Sequence, residues 1–226
     1  MNTPPLAIVA GAGPGLGQRL VAYLNAHGYR AFGLNRSVPA GAGADTLVCD
    51  LTNPASVTSV IRDLSCTHGA PAIVIHNPAK LVIAPFEETG ADEFEATWRS
   101  MVLSAVHLGK AVLPVMAEAG GGVFIVSGAT ASLRGGKNFS AFASAKSALR
   151  ALTQSLAREY GAKGIHIAHV ILDGIMDTEA SRALHSMSPD RMMRTEDVAA
   201  AYLHLAQQPN STWTHELDLR PMGESF

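Results

Sequence analysis

The sequence predicts an α/β domain built on one doubly wound parallel sheet, and three observations carry that expectation. Short apolar runs alternate with amphipathic stretches along the chain, the pattern that sets helices on both faces of a parallel sheet. A glycine-rich turn, GAGPGLG, joins the first apolar run to the first amphipathic stretch. No repeat or low-complexity linker breaks the alternation, so residues 1–226 read as one domain, long enough to bury a single large core.

Each element follows in order. Leu6 to Ala10 is a buried strand leading into Gly11, Gly15 and Gly17, after which Leu16, Leu20, Val21 and Leu24 begin a helical face. Glycines at such a turn let the backbone approach a pyrophosphate, which then lies on the helix N-terminus and its free N–H groups. A glycine-rich loop can also exist for packing alone; strand, turn and helix in that order favour dinucleotide binding. Tyr29 to Leu34 is the second strand, ending in Asn35, Arg36 and Ser37. NAD-selective sites place an acid near this point, and none is present. Arg36 can instead meet a 2′-phosphate, so NADP is expected over NAD; an ordinary exposed arginine is the plainer alternative.

Thr46 to Cys49 is a third strand ending at Asp50 and Leu51, with Thr52 or Asn53 capping the next helix. Asp50 can bond an adenine amino group or cap that helix. Ala72 to Ile75 is the fourth strand, followed by His76-Asn77-Pro78-Ala79. Asp92 to Met116 reads as a long helix, and Val123 to Val126 as the fifth strand, with Ser127-Gly128-Ala129-Thr130 as its exit. The segment Ala141 to Tyr160 carries apolar residues at 145, 148, 149, 152 and 156, one helical face, with Phe142 and Lys146 one turn apart on one side. Ile165 to Ile171, a helix opening at Thr195-Glu196-Asp197, and Glu216 to Arg220 as a short last strand complete the chain. Between them, Met187, Met192 and Met193 either line an adaptable pocket or pack as ordinary core.

Composition excludes several classes. With 47% hydrophobic and 16% charged residues, the chain is globular rather than disordered. A net charge of -2 offers no electrostatic footprint for nucleic acid or an acidic membrane, and 6% aromatic content no base-stacking platform. The start MNTPPLAIVAGAG lacks a basic region, and no run reaches the roughly 20 apolar residues of a span, so a cytoplasmic protein is expected. Cys49 and Cys66 have no metal-ligand or redox spacing, and no metal site is predicted.

The order AGAGPGLG, CDL, HNPA and then the Ser-Ala-Lys helix resembles the short-chain dehydrogenase/reductase family over nearly the whole chain. VSGATASLRGG, FSAFASAKSALRAL and STWTHELDLRP are similar to a subgroup of its oxidoreductases. The resemblance implies a Rossmann fold, a nicotinamide cofactor and a homodimer or homotetramer packed through the long helix and the lysine helix. It also implies a carbonyl or alcohol substrate handled by serine, tyrosine and lysine with a helping asparagine. Lys146 matches the lysine, whereas Ala129, Phe142 and Met101 fall at the serine, tyrosine and asparagine. A phenylalanine cannot exchange a proton. On the cofactor side Gly11, Gly13, Gly15, Leu16, Gly17, Arg36, Asp50, Leu51, Asn77 and Lys146 are the expected contacts, although Ala10 replaces a threonine, and Pro78 and Ala79 an alanine and a glycine. The loop at Asp173-Gly174 lacks the usual proline.

Proton delivery is then expected from water, from Thr130 or from His76, and the hydroxyl of Thr130 or Ser127 could polarise a carbonyl; Lys146 could serve as the acid if burial lowered its pKa. The four tyrosines, at 23, 29, 160 and 202, are expected to lie away from the site. Two readings remain: a divergent NADP-dependent oxidoreductase, or a dinucleotide-binding sensor, regulator or subunit partner without turnover.

Overall fold

The computed structural model describes residues 3–38, 43 and 45–224; the other residues of the expected 1–226 domain lie outside that set. The elements run β1 (Leu6–Ala10), α1 (Leu16–Ala26), β2 (Arg30–Asn35), β3 (Thr46–Val48), α2 (Pro54–His68), β4 (Ile73–His76), α3 (Ala91–Glu118) and β5 (Gly122–Ser127). They continue with α4 (Ser140–Tyr160), β6 (Ile165–Leu172), α5 (Glu179–Leu184), α6 (Thr195–Ala206) and β7 (Glu216–Leu219). All six strand pairings are parallel, in the order β3-β2-β1-β4-β5-β6-β7. This is the doubly wound Rossmann arrangement, and its strand order reverses between β1 and β4.

Strand side chains alternate between two cores, which is why these runs read as continuously apolar. In β1, Leu6, Ile8 and Ala10 face the core covered by α2, α3 and α4, while Ala7 and Val9 face the core covered by α1 and α6. Leu20 and Leu24 of α1 and Val198 and Leu203 of α6 fill the second core. Asn53 caps α2 by accepting from the amides of Ala55 and Ser56.

Two features differ from expectation in ways that matter, one a strand boundary and one inside a helix. β4 runs one residue further, so His76 pairs within the sheet, beside Ala10 and Val126, rather than following it. The long helix contains a π turn over Arg99–Leu103, centred on Met101, which is fully buried. By length and composition α3 could cross a membrane, and half of that apolar stretch is buried in this fold. Its apolarity is accounted for by Val102, Ala105, Leu108, Val112, Leu113 and Met116 packing into the first core.

Candidate functional site

The carboxyl ends of β1, β4, β5 and β6 open on a groove at the strand-order reversal, where open parallel sheets bind ligands. The glycine turn forms its floor. Gly11 has φ 83°, and a side chain there would meet Pro78 N at 2.7 Å. Gly17 needs no unusual φ, but a Cβ would fall 2.4 Å from Gly11 O, so its lack of a side chain lets α1 pack on the turn. The helix enters from Gly15 with no side-chain cap; Gln18 N donates to Gly13 O at 3.1 Å, which leaves the N–H groups of Leu16 and Gly17 at the helix start for an anion.

The groove has two lobes. One, about 600 Å³, is lined by Arg36, Cys49, Asp50, Leu51 and Arg99. The other, about 390 Å³, is lined by Leu16, Gly17, Ser127, Ala129, Phe142 and Lys146, with Met176 and Thr178 closing over it. Gly11, Gly13, Asn77 and Ala79 line both, so the two lobes adjoin at the glycine turn. Asp50 Oδ1 accepts from Thr52 Oγ1 at 2.7 Å and Thr52 N at 2.9 Å. Those bonds hold the carboxyl below its ordinary range, with Arg36 and Arg99 adding to the effect. It remains ionised at the rim of the first lobe rather than capping α2.

Lys146 projects from α4 and is 2% exposed. Its Nζ donates to Ser127 O at 2.8 Å, and no carboxylate among the described residues pairs with it. Burial pushes its pKa down to about 8. The Phe142 ring lies 5.7 Å from Nζ, so the lysine faces an aromatic surface where the resemblance would place a phenol.

Several expected proton donors do not reach the groove. His76 is fully buried with Nε2 2.8 Å from Ser104 Oγ, and desolvation drives it to about 3, so it is neutral and enclosed under α3. Thr130 donates its hydroxyl to Asp173, whose carboxylate Arg220 pairs at 3.1 Å, and it does not line either lobe. Ser127 lines the second lobe, but its hydroxyl donates to Asn77 Oδ1 at 2.8 Å. The expectation for the tyrosines is corrected at one position: Tyr202 of α6 places its hydroxyl 2.8 Å from Ser127 Oγ. Sequence reasoning missed it because Tyr202 sits among apolar helix residues with no local partner; the one signal was a phenol on an otherwise apolar face.

The remaining motifs fall outside the groove. Met192 and Met193 line a separate cavity behind the 175–177 segment, beside Leu219, Pro221 and Met222. Trp213 stacks on His166 at 5.1 Å, and Glu216 forks onto Arg150 at 2.6 and 2.8 Å. Arg134 and Lys137 are exposed.

An α/β sheet with a glycine turn, an ionised acid at the third strand and a buried lysine across the reversal defines a nucleotide-groove protein of the oxidoreductase kind. The comparisons make the class specific. The family model described as Enoyl-(Acyl carrier protein) reductase matches residues 17–216. A short-chain dehydrogenase structure from Rhodopseudomonas palustris is 31% identical, with a TM-score of 0.79 over 98% of this chain and 100% of that one. An uncharacterized oxidoreductase of Staphylococcus aureus is 24% identical across 97% of this chain and 98% of its own length. The 3-oxoacyl-[acyl-carrier-protein] reductase of Salmonella typhimurium is 27% identical across 93% of each. A Beutenbergia cavernae structure described as an NAD(P)-dependent gluconate 5-dehydrogenase with bound NADP (low occupancy) shares the fold, with a TM-score of 0.83 at 21% identity over 95% of this chain and 94% of that one. The chain belongs to the short-chain dehydrogenase/reductase family.

Proposed function

We propose that this protein is an NADP(H)-dependent oxidoreductase acting on a small carbonyl or alcohol substrate. The observation that carries the reading is the pair of adjoining lobes, from Arg36 and Asp50, past the shared Gly11 and Asn77, to the buried Lys146. The residues fit a dinucleotide. The uncapped start of α1 suits a pyrophosphate, Asp50 accepts from an adenine amino group, and exposed Arg36 suits a 2′-phosphate. Lys146 has donors beyond the one given to Ser127 O and can hold a ribose hydroxyl. When bound, the cofactor supplies or accepts the hydride.

The chain's own part in the chemistry falls to few groups. Within the second lobe the hydroxyl protons of Ser127 and Thr178 are given to Asn77 and Ser181, and Asn77 gives one amide proton to Gly11 O, its other being far too weak an acid to serve. Lys146 is the lining residue that retains an acidic proton, and its pKa of about 8 lies near neutrality, where general acids work best. Thr130 and His76 take no part in this reading, because neither reaches the groove. Ala129 and Phe142 leave the substrate side apolar, with no hydroxyl there to polarise a carbonyl beside Lys146, so turnover is expected to be slow. The same two residues favour a second reading, binding without turnover. Assembly as a dimer or tetramer through α3 and α4 is part of the proposal, and the half-exposed Trp98 on α3 suits such a contact.

Titration of the protein and of Arg36→Ala with NADPH and NADH, followed by calorimetry, tests it. NADPH is expected to bind tighter than NADH, and Arg36→Ala to weaken NADPH about tenfold while leaving NADH unchanged, the weight of one charge-assisted contact. No NADPH binding overturns the proposal. Binding without consumption across a carbonyl panel selects the second reading.

A further inference from the structure

We propose that Tyr202, a residue of the C-terminal helix α6 that lines neither lobe of the groove, is a positioning residue that sets dinucleotide affinity through a chain of hydrogen bonds to the glycine turn. The chain runs through four residues: Gly11 just after β1, Asn77 just after β4, Ser127 at the end of β5 and Tyr202 in α6. Asn77 Nδ2 donates to Gly11 O at 3.1 Å, which fixes the amide with its oxygen turned toward β5. That oxygen needs a donor, and Ser127 Oγ supplies it at 2.8 Å. A serine hydroxyl has one proton, so the 2.8 Å contact between Ser127 and Tyr202 must run from the phenol to the serine. Tyr202 is 1% exposed and Ser127 3%, so no solvent replaces a lost partner. Burial holds the phenol protonated, raising its pKa well above the ordinary value.

The far end of this chain is Gly11 O, an atom of the glycine turn with backbone packed closely against it. Gly11 O also lies against Gly17, where even a Cβ would come within 2.4 Å. A shift of Gly11 therefore moves the start of α1 and the N–H groups that would meet a pyrophosphate. The near end belongs to α6, which begins at Thr195, just beyond Met193 and Arg194. Met193 exchanges backbone bonds with the segment closing over the second lobe, donating to Ile175 O and accepting from Asp177 N, both at 2.8 Å. The phenol thus ties the element below the covering segment to the floor of the groove. Side-chain networks of this kind strengthen cooperatively when every member is satisfied.

This inference rests on the proposed cofactor reading, and the test separates the two. NADPH affinity and thermal stability are measured for the full chain and for Tyr202→Phe, Ser127→Ala, the double variant and Val198→Ala. Val198 is a buried residue of the same helix outside the chain of bonds. Tyr202→Phe keeps the ring and removes one bond, so NADPH affinity is expected to fall about fivefold, the weight of one neutral hydrogen bond. The double variant is expected to bind no more weakly than Ser127→Ala alone, the mark of a shared chain. Val198→Ala is expected to lower the melting temperature while leaving affinity unchanged. Unaltered NADPH affinity in Tyr202→Phe, additive losses in the double variant, or an equal loss in Val198→Ala overturns the inference while the cofactor reading stands. Absence of NADPH binding by the unaltered chain removes both.

Discussion

Replacing Lys146 with methionine makes the energetic cost of this site measurable. The ammonium is 2% exposed, and burial lowers its pKa from 10.5 to about 8. The sign follows from proton counting. Below about pH 8 the lysine is charged in both folded and unfolded chains, and the folded state bears the full desolvation penalty. Between about pH 8 and about 10.5 the folded protein has released a proton that the unfolded chain still holds, so stability rises with pH. Above that window both forms are neutral and the penalty is gone. The full penalty is about 3 kcal/mol at 1.36 kcal/mol per unit, and moving from about pH 7 to about pH 9.5 recovers roughly 2 kcal/mol of it. Lys146→Met keeps the volume and removes the charge, but it leaves Ser127 O without its donor, a cost of about 1–3 kcal/mol. Net stability at neutral pH is therefore expected to change little, while the alkaline rise attributable to this residue disappears. Urea unfolding of both proteins at the two pH values isolates the term, because other titrating groups cancel in the difference. An identical pH dependence for the two proteins would refute the reasoning, since it would mean that Lys146 ionises as it does in water.

Two further outcomes follow from the groove. Gly17→Ala places a Cβ 2.4 Å from Gly11 O and 2.6 Å from Ala12 Cα, both backbone atoms that cannot swing aside. It is expected to cost about 1–3 kcal/mol in thermal or urea unfolding and to abolish NADPH binding by calorimetry. Restoring a phenol and a hydroxyl with Phe142→Tyr and Ala129→Ser is expected to raise NADPH-dependent carbonyl reduction by about 10²-fold, the typical weight of a positioned acid. No gain from that pair, with cofactor binding intact, would show that the second lobe no longer admits a carbonyl beside Lys146.

Much of this protein is legible in its sequence because the signals are local and periodic. The buried runs, the helical face of 145 to 156 and the glycine turn follow from the two-residue and 3.6-residue repeats and from backbone sterics. Local order along the chain also brought Gly11, Arg36, Asp50 and Asn77 to one end of the sheet, since parallel strands present their carboxyl ends together, and Lys146 reaches the same groove from α4. What the sequence by itself could not determine was which polar groups face the groove. His76 turned inward because β4 continues for one more residue and the alternation of strand side chains points it at Ser104. Thr130 turned to Asp173, 43 residues away, and Tyr202 reached Ser127 across a separation of 75. A buried polar group takes whatever partner the packed chain brings within about 3 Å, and that distance exists only once the helices are docked on the sheet.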